Sequence, residues 1–516
     1  MTGPRKSAAW PLLAVLAWLA FTAWLRPLAV PDEGRYAGVA WGMVTSGDWL
    51  VPHLNGLPYF HKPPLFYWIT AIPMQWFGPQ AWVARLAPWM GASAAAAALW
   101  LFARRWRGEG FARMALLAFG TQALVFVGAQ FANLDMLVAG CITASVLALA
   151  HAALARDAGE ARHVPALAAG YLFLALGVLA KGLIGVVLPG MVLVAWLLAL
   201  RKWRVLLSLA WWPGMALFAV VALPWFALME RRFPDFLHYF FYVQHFARFA
   251  QGGFNNQQPW YFFPAVLLLL ACPWSLWMLR GIARKDDADR TEPAATMRVL
   301  AWTWLALVTL FFSMPQSKLV GYILPGSAAL ALLAADACLQ AGRPLLRRAS
   351  VALAVVLCLG AVAVGALQPG NAMREISRAL ERSAPADRVV FVEQYWFDVP
   401  VYARLVHPVL VLDAWDPAAD VRDNWHRELS DAAVFDPALG HELLIGPERW
   451  ADALCTAAAT WVVGDRNAVE KHPVLAANRP AVLEGRKRLW VLPALKAGVS
   501  RPGCPEMPTS NSTDKS

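Results

Sequence analysis

Apolar runs long enough to cross a lipid bilayer recur along the chain up to about residue 368. About 20 mostly apolar residues are needed for one transmembrane helix. The pattern therefore predicts about eleven such helices, or thirteen if the count is too low by two. The predicted helices lie near residues 8–28, 82–103, 112–129, 135–154, 166–180, 183–200, 205–228, 260–280, 299–313, 319–338 and 350–368.

After about residue 367, short segments rich in β-branched residues replace the long apolar runs. Segments of this kind, bounded by turn residues, are typical of β-strands. They lie at Arg388–Val392, Val409–Leu412 and Trp461–Val463. Helical stretches at Asn371–Arg382 and Pro417–Glu428 alternate with them, which predicts a small α/β domain.

Composition and charge add an orientation to this picture. Hydrophobic residues make up 59% of the chain and charged residues 15%, against about 45–50% and about 25% in soluble proteins. The net charge of +11 comes from short Arg/Lys clusters between apolar runs, so nucleic acid is not an expected partner. Basic loops face the cytoplasm. The N-terminus is therefore expected inside, and the C-terminal domain outside.

The predicted fold class is an α-helical polytopic membrane protein with a C-terminal periplasmic α/β domain. The apolar run from Ser7 to Val30 is longer than the apolar core of a signal peptide, so it is expected to remain as the first helix. The predicted domains are a transmembrane domain at 1–368 with a first outward loop at 31–81, the α/β domain at 369–504, and a disordered tail at 505–516.

The first outward loop is too long and too patterned to be a simple connector. It reads Pro-Asp-Glu-Gly-Arg-Tyr from Pro31, Gly-Asp-Trp-Leu-Val-Pro from Gly47 and Tyr-Phe-His-Lys-Pro-Pro-Leu from Tyr59. An acidic pair directly after a transmembrane helix is costly unless it faces water or a partner. We therefore expect a functional loop, with Asp32 near one end and Lys62 near the other.

These motifs, in this order, resemble the bacterial family that contains the lipid A aminoarabinose transferase. That family is related to the protein O-mannosyltransferases, within the membrane-embedded C superfamily of glycosyltransferases. Further matching motifs extend the resemblance over about residues 10–330, and they are Asn133–Met136, Ala180–Gly182, His245–Phe249 and Ser317–Pro325. The sequence departs from the family at His61, where an acidic residue is frequent.

The resemblance implies a reaction at the outer face of the bacterial inner membrane. A sugar would pass, with inversion, from a polyprenyl (undecaprenyl) phosphate to an envelope acceptor, with lipid A favoured. Aminoarabinose, galacturonic acid and a hexose all remain open as the sugar. Because the leaving group is a lipid phosphate, fixed cations must bind it. A carboxylate near the anomeric carbon can accept the proton of the acceptor.

The matching motifs supply candidates for both roles. The candidate catalytic carboxylates are Asp32, Glu33 and Asp135, and the candidate donor-binding residues are Lys62, Arg35, Arg248, Tyr322 and Lys318. Five of these residues also have a structural alternative. Asp32 and Asp135 suit helix capping, Glu33 can pair with Arg35, Lys62 can extend towards lipid headgroups, and Tyr322 can anchor at the membrane interface.

Histidines and cysteines give two further hypotheses. Imidazole is a common ligand of divalent metals, and the resembled family has a metal near the donor phosphate, so His61 and His245 are candidate ligands of Zn²⁺ or a similar ion. Cys455 and Cys504 both lie in the predicted periplasmic domain. Because the periplasm is oxidising, they are expected to form a disulfide.

Two other functions remain open from the sequence. A protein O-mannosyltransferase would use the same donor chemistry with a peptide acceptor. A transporter or flippase of lipid-linked sugar would place ionisable residues near the bilayer midplane and often shows inverted repeats. Here the acidic residues fall in the predicted outward loops, which favours the transferase.

Overall fold

The computed structural model describes residues 9–160, 163–247, 256–282, 292–367, 372–415, 425–496 and 499–505. The chain forms two compact units. The first contains Met1–Pro27, Phe60–Trp76 and Ala81–Gly370, and the second contains Leu28–Tyr59, Phe77–Gln80 and Asn371–Ser516. The predicted tail lies outside the described residues from position 506 onwards.

The first part of the chain is helical. Up to residue 367 its α-helices are α1 (Trp10–Ala20), α2 (Asp32–Ser46), α3 (Leu65–Phe77), α4 (Ala81–Ala84), α5 (Leu86–Gly120), α6 (Ala123–Gly128), α7 (Leu134–Asp157), α8 (Val164–Lys181), α9 (Ile184–Ala199), α10 (Trp203–Ser208), α11 (Trp212–Arg232), α12 (Phe262–Leu270), α13 (Trp274–Ile282), α14 (Glu292–Ser313), α15 (Ser327–Gln340) and α16 (Pro344–Leu367). A π-helical segment at His238–Ala247 and a 3₁₀-helix at Val320–Gly326 complete this list.

Among the described helices, seven are long and apolar enough to cross a membrane, with the 3₁₀-helix counted together with α15. An eighth candidate is formed by α12 and α13, which are bent by 113° relative to each other. Helices α1 and α9 are apolar but shorter. The predicted helical membrane fold is confirmed, whereas the count of about eleven spans stays a prediction.

Some predicted helices have different boundaries in the structure. The helices predicted at 82–103 and 112–129 correspond to the two parts of α5, which are separated by the non-helical backbone of Gly108 (φ 81°). The end of the second predicted helix falls on the short α6. The helix expected at 260–280 is broken between α12 and α13, next to Pro273. Proline lacks the backbone N–H that a continuous helix would use.

Helix α7 is one of the most deeply packed elements of the first unit. In its most apolar stretch, 89% of the residues are buried. The backbone of α7 touches that of α5, because a Cβ atom added at Gly140 would lie 2.1 Å from the carbonyl oxygen of Gly91. Small residues allow such close helix packing in membranes. This packing fixes the position of the N-terminal turn of α7, which carries Asp135.

The second unit is built around a six-stranded mixed sheet. Its strands and helices beyond residue 371 are α17 (Arg374–Leu380), β3 (Arg388–Val392), α18 (Val399–Tyr402), β4 (Leu410–Leu412), α19 (Trp425–Ala433), α20 (Pro437–Leu443), β5 (Leu444–Ile445), α21 (Trp450–Leu454), β6 (Thr460–Asp465), α22 (Ala468–Lys471), α23 (Pro473–Ala476), β7 (Val482–Glu484) and β8 (Lys487–Leu492). The strand order is β5-β4-β3-β6-β8-β7, and the first four strands are parallel. The three strands expected from the sequence correspond to β3, β4 and β6, which confirms the α/β domain.

Residues 28–59, here named the first-loop segment, belong to this second unit. The segment contains α2 and a small hairpin of β1 (His53–Leu54) and β2 (Leu57–Pro58). The side chain of Asn55 exchanges two hydrogen bonds with the backbone of Val409, at 2.9 and 2.8 Å. The indole N–H of Trp41 donates to the carbonyl of Leu405 at 2.8 Å. The first outward loop is thus divided between the two compact units, whereas the sequence predicts that all of it belongs to the transmembrane domain.

A disulfide bond joins Cys455, directly after α21, to Cys504 near the end of the described chain. The two sulfur atoms are 1.98 Å apart, the Cα atoms are 5.8 Å apart, and 49 positions separate the residues in the sequence. Cys504 packs against the apolar core of the second unit. The bond therefore fastens the C-terminal segment to that core.

Candidate active site

At the start of α2, one guanidinium lies between two carboxylates. Arg35 donates from Nη2 to Asp32 Oδ1 at 2.8 Å, and its Nη1 contacts Glu428 Oε1 in α19. The hydroxyl of Tyr59 donates to the other oxygen of Glu428 at 2.5 Å. Burial lowers the pKa of Arg35, but Glu428 and the other negative partners outweigh burial and hold that pKa well above its ordinary value. Arg35 therefore remains a cation that orients Asp32.

The two neighbouring acids of α2 have different environments. The side chain of Asp32 is 46% exposed, so it faces solvent while it is held by Arg35. Glu33 is fully buried, and its Oε2 accepts the backbone N–H of Ala29 at 2.9 Å. That contact fastens the incoming chain to the first turn of α2. The geometry favours Asp32 for chemistry and Glu33 for support of the helix.

In the first unit, Asp135 lies in a polar cluster at the start of α7. Asn133 is the N-cap of this helix, and its Oδ1 accepts the backbone N–H of Asp135 at 3.0 Å. The carboxylate of Asp135 contacts the ammonium of Lys181, the last residue of α8. The ammonium also lies 4.5 Å from the centre of the Tyr322 ring. Capping is thus supplied by Asn133, and Asp135 is engaged in an ion pair.

The 3₁₀-helix reaches this cluster through a glycine. A Cβ atom added at Gly321 would lie 2.1 Å from Asp135 Oδ2, so a side chain here would displace the carboxylate. Just before this helix, Lys318 is buried and its Nζ donates to the carbonyl of Gln258 at 2.7 Å. The backbone N–H of Lys318 also donates to Asn256 at 3.0 Å. The structure thus brings together Asp135, Lys181 and Tyr322, with Lys318 three residues before Gly321.

Lys62 and His61 lie just before α3, in the first unit. His61 is buried, and its ring centre lies 6.2 Å from that of Tyr239. The preceding Phe60 packs edge-on against Phe233 at 4.8 Å. An aromatic cluster after α11 therefore fixes the chain that carries Lys62.

The predicted Arg248, and the side chain of His245, lie outside the described residues. Within the parts of the chain that the structure describes, no group of three or more His, Cys, Asp or Glu side chains is arranged to hold a metal ion. The described residues therefore do not form a metal site by themselves. The metal hypothesis for His61 and His245 stays a prediction, and no chemical step is derived through it.

Three residues of these clusters were absent from the sequence-based candidates. Lys181 had a usable signal, because an ionisable residue at the end of an apolar helix is a functional candidate by default. Tyr59 also had a signal, because it begins the third motif of the first outward loop, whereas Glu428 had none. Glu428 is 393 positions from Arg35 in the sequence, and a single carboxylate in a soluble domain carries no mark of such a partner.

Comparisons with known proteins show which sequences this chain resembles. The family described as dolichyl-phosphate-mannose-protein mannosyltransferase matches residues 17–240. A protein of Aeromonas salmonicida named undecaprenyl phosphate-alpha-4-amino-4-deoxy-L-arabinose arabinosyl transferase is 36% identical over 365 residues. That alignment covers 67% of this chain and 64% of the relative, so it spans less than two thirds of the relative's length. A similarly named protein of Sodalis glossinidius is 37% identical over 330 residues, which are 63% of this chain and 58% of that protein.

The fold is also found among solved structures. The crystal structure of ArnT from Cupriavidus metallidurans bound to undecaprenyl phosphate superposes with a TM-score of 0.77 at 23% sequence identity. The superposition covers 94% of this chain and 98% of that one. The chain is therefore a multi-pass inner-membrane protein that has the fold of this ArnT structure. Its sequence is similar to the aminoarabinose transferases and, over residues 17–240, to the protein mannosyltransferase family.

Proposed function

We propose that this protein transfers a sugar from a polyprenyl phosphate donor to an envelope acceptor. The observation that carries the proposal is the 36% identity with an arabinosyl transferase of Aeromonas salmonicida. The name of that relative favours undecaprenyl phosphate as the carrier and aminoarabinose as the sugar. Lipid A is the acceptor that the sequence resemblance favours.

In the proposed reaction, an acceptor oxygen forms a bond to the anomeric carbon while the bond from that carbon to the lipid phosphate breaks. The proton of the acceptor passes to a carboxylate, and the electron pair of the broken bond stays on the phosphate. We assign the role of proton acceptor to Asp32, which is exposed and oriented by Arg35. Proton transfer to a positioned base typically contributes about 10²–10⁴ to the rate.

The departing phosphate requires fixed cations and hydrogen-bond donors. Lys62, Lys318, Tyr322 and Arg248 are the proposed donor-binding residues. The Asp135–Lys181 pair supports this role for the cluster in the first unit, because Asp135 holds the ammonium of Lys181 against the ring of Tyr322. Arg35 is already held by two carboxylates, so we assign it to the orientation of Asp32 rather than to the phosphate.

We further propose that the N-terminus faces the cytoplasm and that the second unit lies in the periplasm. Two features support this orientation. The Arg/Lys clusters of the chain fall in loops assigned to the cytoplasm by the positive-inside rule. The Cys455–Cys504 disulfide suits an oxidising compartment. Alkaline phosphatase fused after residue 505 should be active in cells if this orientation is correct, and inactive if it is reversed.

The activity is tested with the purified full-length protein in lipid nanodiscs. Undecaprenyl phosphate aminoarabinose and lipid A are supplied, and modified lipid A is measured by mass spectrometry. The Asp32→Asn variant, purified in the same way, is the control for transfer caused by a contaminating protein. Modified lipid A with the wild type, and its loss with the variant, support the proposal. No modification by a folded wild-type protein, with this and other polyprenyl-phosphate sugars, contradicts it.

A protein O-mannosyltransferase is the second candidate, favoured by the family match over residues 17–240. It differs in the acceptor, which would be a serine or threonine of an envelope protein. The same assay with a peptide acceptor separates the two functions. A transporter would translocate the donor and leave both acceptors unmodified.

A further inference from the structure

Away from the proposed active site, two arginines of the helical unit converge on one aspartate. Arg298 in α14 donates to Asp336 Oδ2 from Nε at 3.1 Å and from Nη2 at 2.7 Å. Arg107 in α5 donates from Nη2 to the other oxygen, Oδ1, at 2.8 Å. Asp336 lies in α15 and is buried. The three charged groups therefore tie three helices together.

The charges of this Arg107–Arg298–Asp336 cluster do not balance. Two guanidinium groups carry one more positive charge than a single carboxylate neutralises, and a guanidinium has more N–H donors than one carboxylate can accept. The centre of the Phe111 ring lies 4.4 Å from the guanidinium carbon of Arg107 and offsets part of the surplus charge. The apolar Leu332 and Leu333 complete the walls and supply no acceptor for the remaining N–H groups. An uncompensated charge against apolar walls is costly. An additional anionic oxygen would complete both the charge and the hydrogen bonding.

There is limited space for such an oxygen. The cluster borders a cavity of about 10 Å³, which is about the size of one water-sized group. Arg298 is 36% exposed, so its guanidinium can be reached from outside the helices. A whole phosphate does not fit inside the cavity, but one of its oxygens does. The remainder of the group would lie at the mouth, next to Arg298.

The depth of the cluster fits a lipid headgroup. Arg298 lies six residues after the start of α14, and Asp336 lies four residues before the end of α15. At 1.5 Å per residue, these positions are about 9 Å and about 6 Å from the helix ends. For helices that end at the membrane surface, this depth is that of the boundary between headgroups and acyl chains. Basic pockets between transmembrane helices at this level bind anionic headgroups.

We propose that the Arg107–Arg298–Asp336 cluster binds the phosphate of an anionic phospholipid. One phosphate oxygen enters the cavity and accepts hydrogen bonds from both arginines, while the acyl chains lie along the outer surface of α14. Arginine suits this role because its planar group binds phosphate through two parallel hydrogen bonds. The site is separate from the donor-binding residues assigned above and does not depend on the proposed function.

The test uses the full-length protein in detergent, titrated with phosphatidylglycerol and with phosphatidylcholine, and observed by native mass spectrometry. The wild type is expected to bind phosphatidylglycerol more tightly than phosphatidylcholine. Arg298→Met should weaken that binding by about fivefold, since one basic residue near an anionic lipid surface contributes about that factor. The matched control is Arg348→Met, which removes one charge from an exposed arginine of α16 and should leave the affinity unchanged.

Asp336→Asn separates lipid binding from a purely structural role. This variant keeps the shape of the side chain but raises the positive surplus, so phosphatidylglycerol should bind more tightly than in the wild type. Weaker binding after Asp336→Asn would overturn the proposal in favour of an internal brace. An equal loss in Arg298→Met and Arg348→Met would overturn it as non-specific attraction. Competition by millimolar inorganic phosphate would assign the site to free phosphate and overturn the lipid source.

Discussion

Neighbouring polar residues of this protein have different environments, which separate the proposed catalytic residues from those that support the helix ends. Asp32 and Glu33 are neighbours in the first turn of α2, yet Asp32 is exposed beside Arg35 and Glu33 is fully buried on a backbone N–H. At the start of α7, Asn133 caps the helix and leaves the carboxylate of Asp135 for Lys181. At both helix starts, one residue stabilises the helix end and its neighbour is the proposed functional residue.

Asp32→Asn should lower turnover by about 10²–10⁴, because an amide cannot accept the proton of the acceptor. The amide oxygen can still accept from Arg35, so folding and donor binding should change little. The measurement is single-turnover transfer in nanodiscs, with Glu33→Gln as the matched neighbour. Near-normal turnover by Asp32→Asn would remove Asp32 from the mechanism.

Lys62→Ala should weaken binding of the polyprenyl phosphate as well as turnover, because it removes a charge-assisted contact from an anion. Binding of undecaprenyl phosphate to the purified variant can be followed by titration calorimetry. Lys496→Ala, in an exposed part of the second unit, is the control. If donor affinity is unchanged while turnover falls, Lys62 has another role.

Asp398 gives a prediction about pH and stability. Burial raises the pKa of this carboxyl from 3.8 to about 6, although the backbone N–H of Met373 donates to it at 2.8 Å. The native state therefore favours the protonated form. Its stabilising contribution is complete below about pH 4 and is lost as the pH rises through about 6.

The Asp398→Asn substitution keeps a side-chain oxygen that can accept the backbone N–H of Met373. It removes the carboxyl group that titrates. Relative to the wild type, the variant should be more stable at pH 7.5 by at most about 3 kcal/mol, and the advantage should vanish below about pH 4. Thermal unfolding of the full-length protein at both pH values measures this difference. An advantage that does not depend on pH would show that the charge of Asp398 is not its cause.

At the scale of elements, the first-loop segment is an integral part of the α/β unit. Helix α2 is joined to α19 through Arg35 and Glu428, and the β1–β2 hairpin is joined to the chain before β4 through Asn55. The proposed base is therefore carried by an element whose position depends on the C-terminal sequence. Substitutions in α19 should consequently affect a reaction assigned to α2.

Glu428→Gln should weaken the attachment of α2 to α19, because the buried Arg35 then keeps only one of its two carboxylate partners. Losing one member of a buried ion pair typically costs about 3–5 kcal/mol. We expect lower thermal stability, and faster proteolysis between α2 and β1. Asp452→Asn, in α21, removes an exposed ion pair with Arg449 and should have a small effect. Equal effects of the two variants would argue against a specific role for Glu428.

At the scale of the whole molecule, the helical unit and the α/β unit are stabilised differently. The helical unit is built from apolar helices with close glycine contacts such as Gly91 with Gly140. The α/β unit has a conventional apolar core around Val390, Val462 and Trp490, to which the disulfide fastens the C-terminal segment. Reducing agents should therefore act on the second unit alone.

Cys504→Ser is expected to destabilise the second unit by about 2–4 kcal/mol, because the closed loop no longer restricts the unfolded chain. Dithiothreitol should lower the unfolding temperature of the wild type and leave that of Cys455→Ser/Cys504→Ser unchanged. A wild-type protein insensitive to the reductant after complete reduction, verified by mass, would contradict this expectation.

The sequence by itself determined the class of fold and the chemistry to look for. Long apolar runs require a bilayer, short β-branched segments favour strands, and the first-loop motifs identify Asp32, Arg35 and Lys62, because these signals are local. The tertiary structure decided which groups meet. The approach of Glu428 to Arg35, of Lys181 to Asp135, and of Arg298 to Asp336 depends on the packing of distant elements. The break at Gly108 falls between two predicted helices, in a segment rich in arginine. The break after α12 escaped the pattern, because apolar composition continues through it.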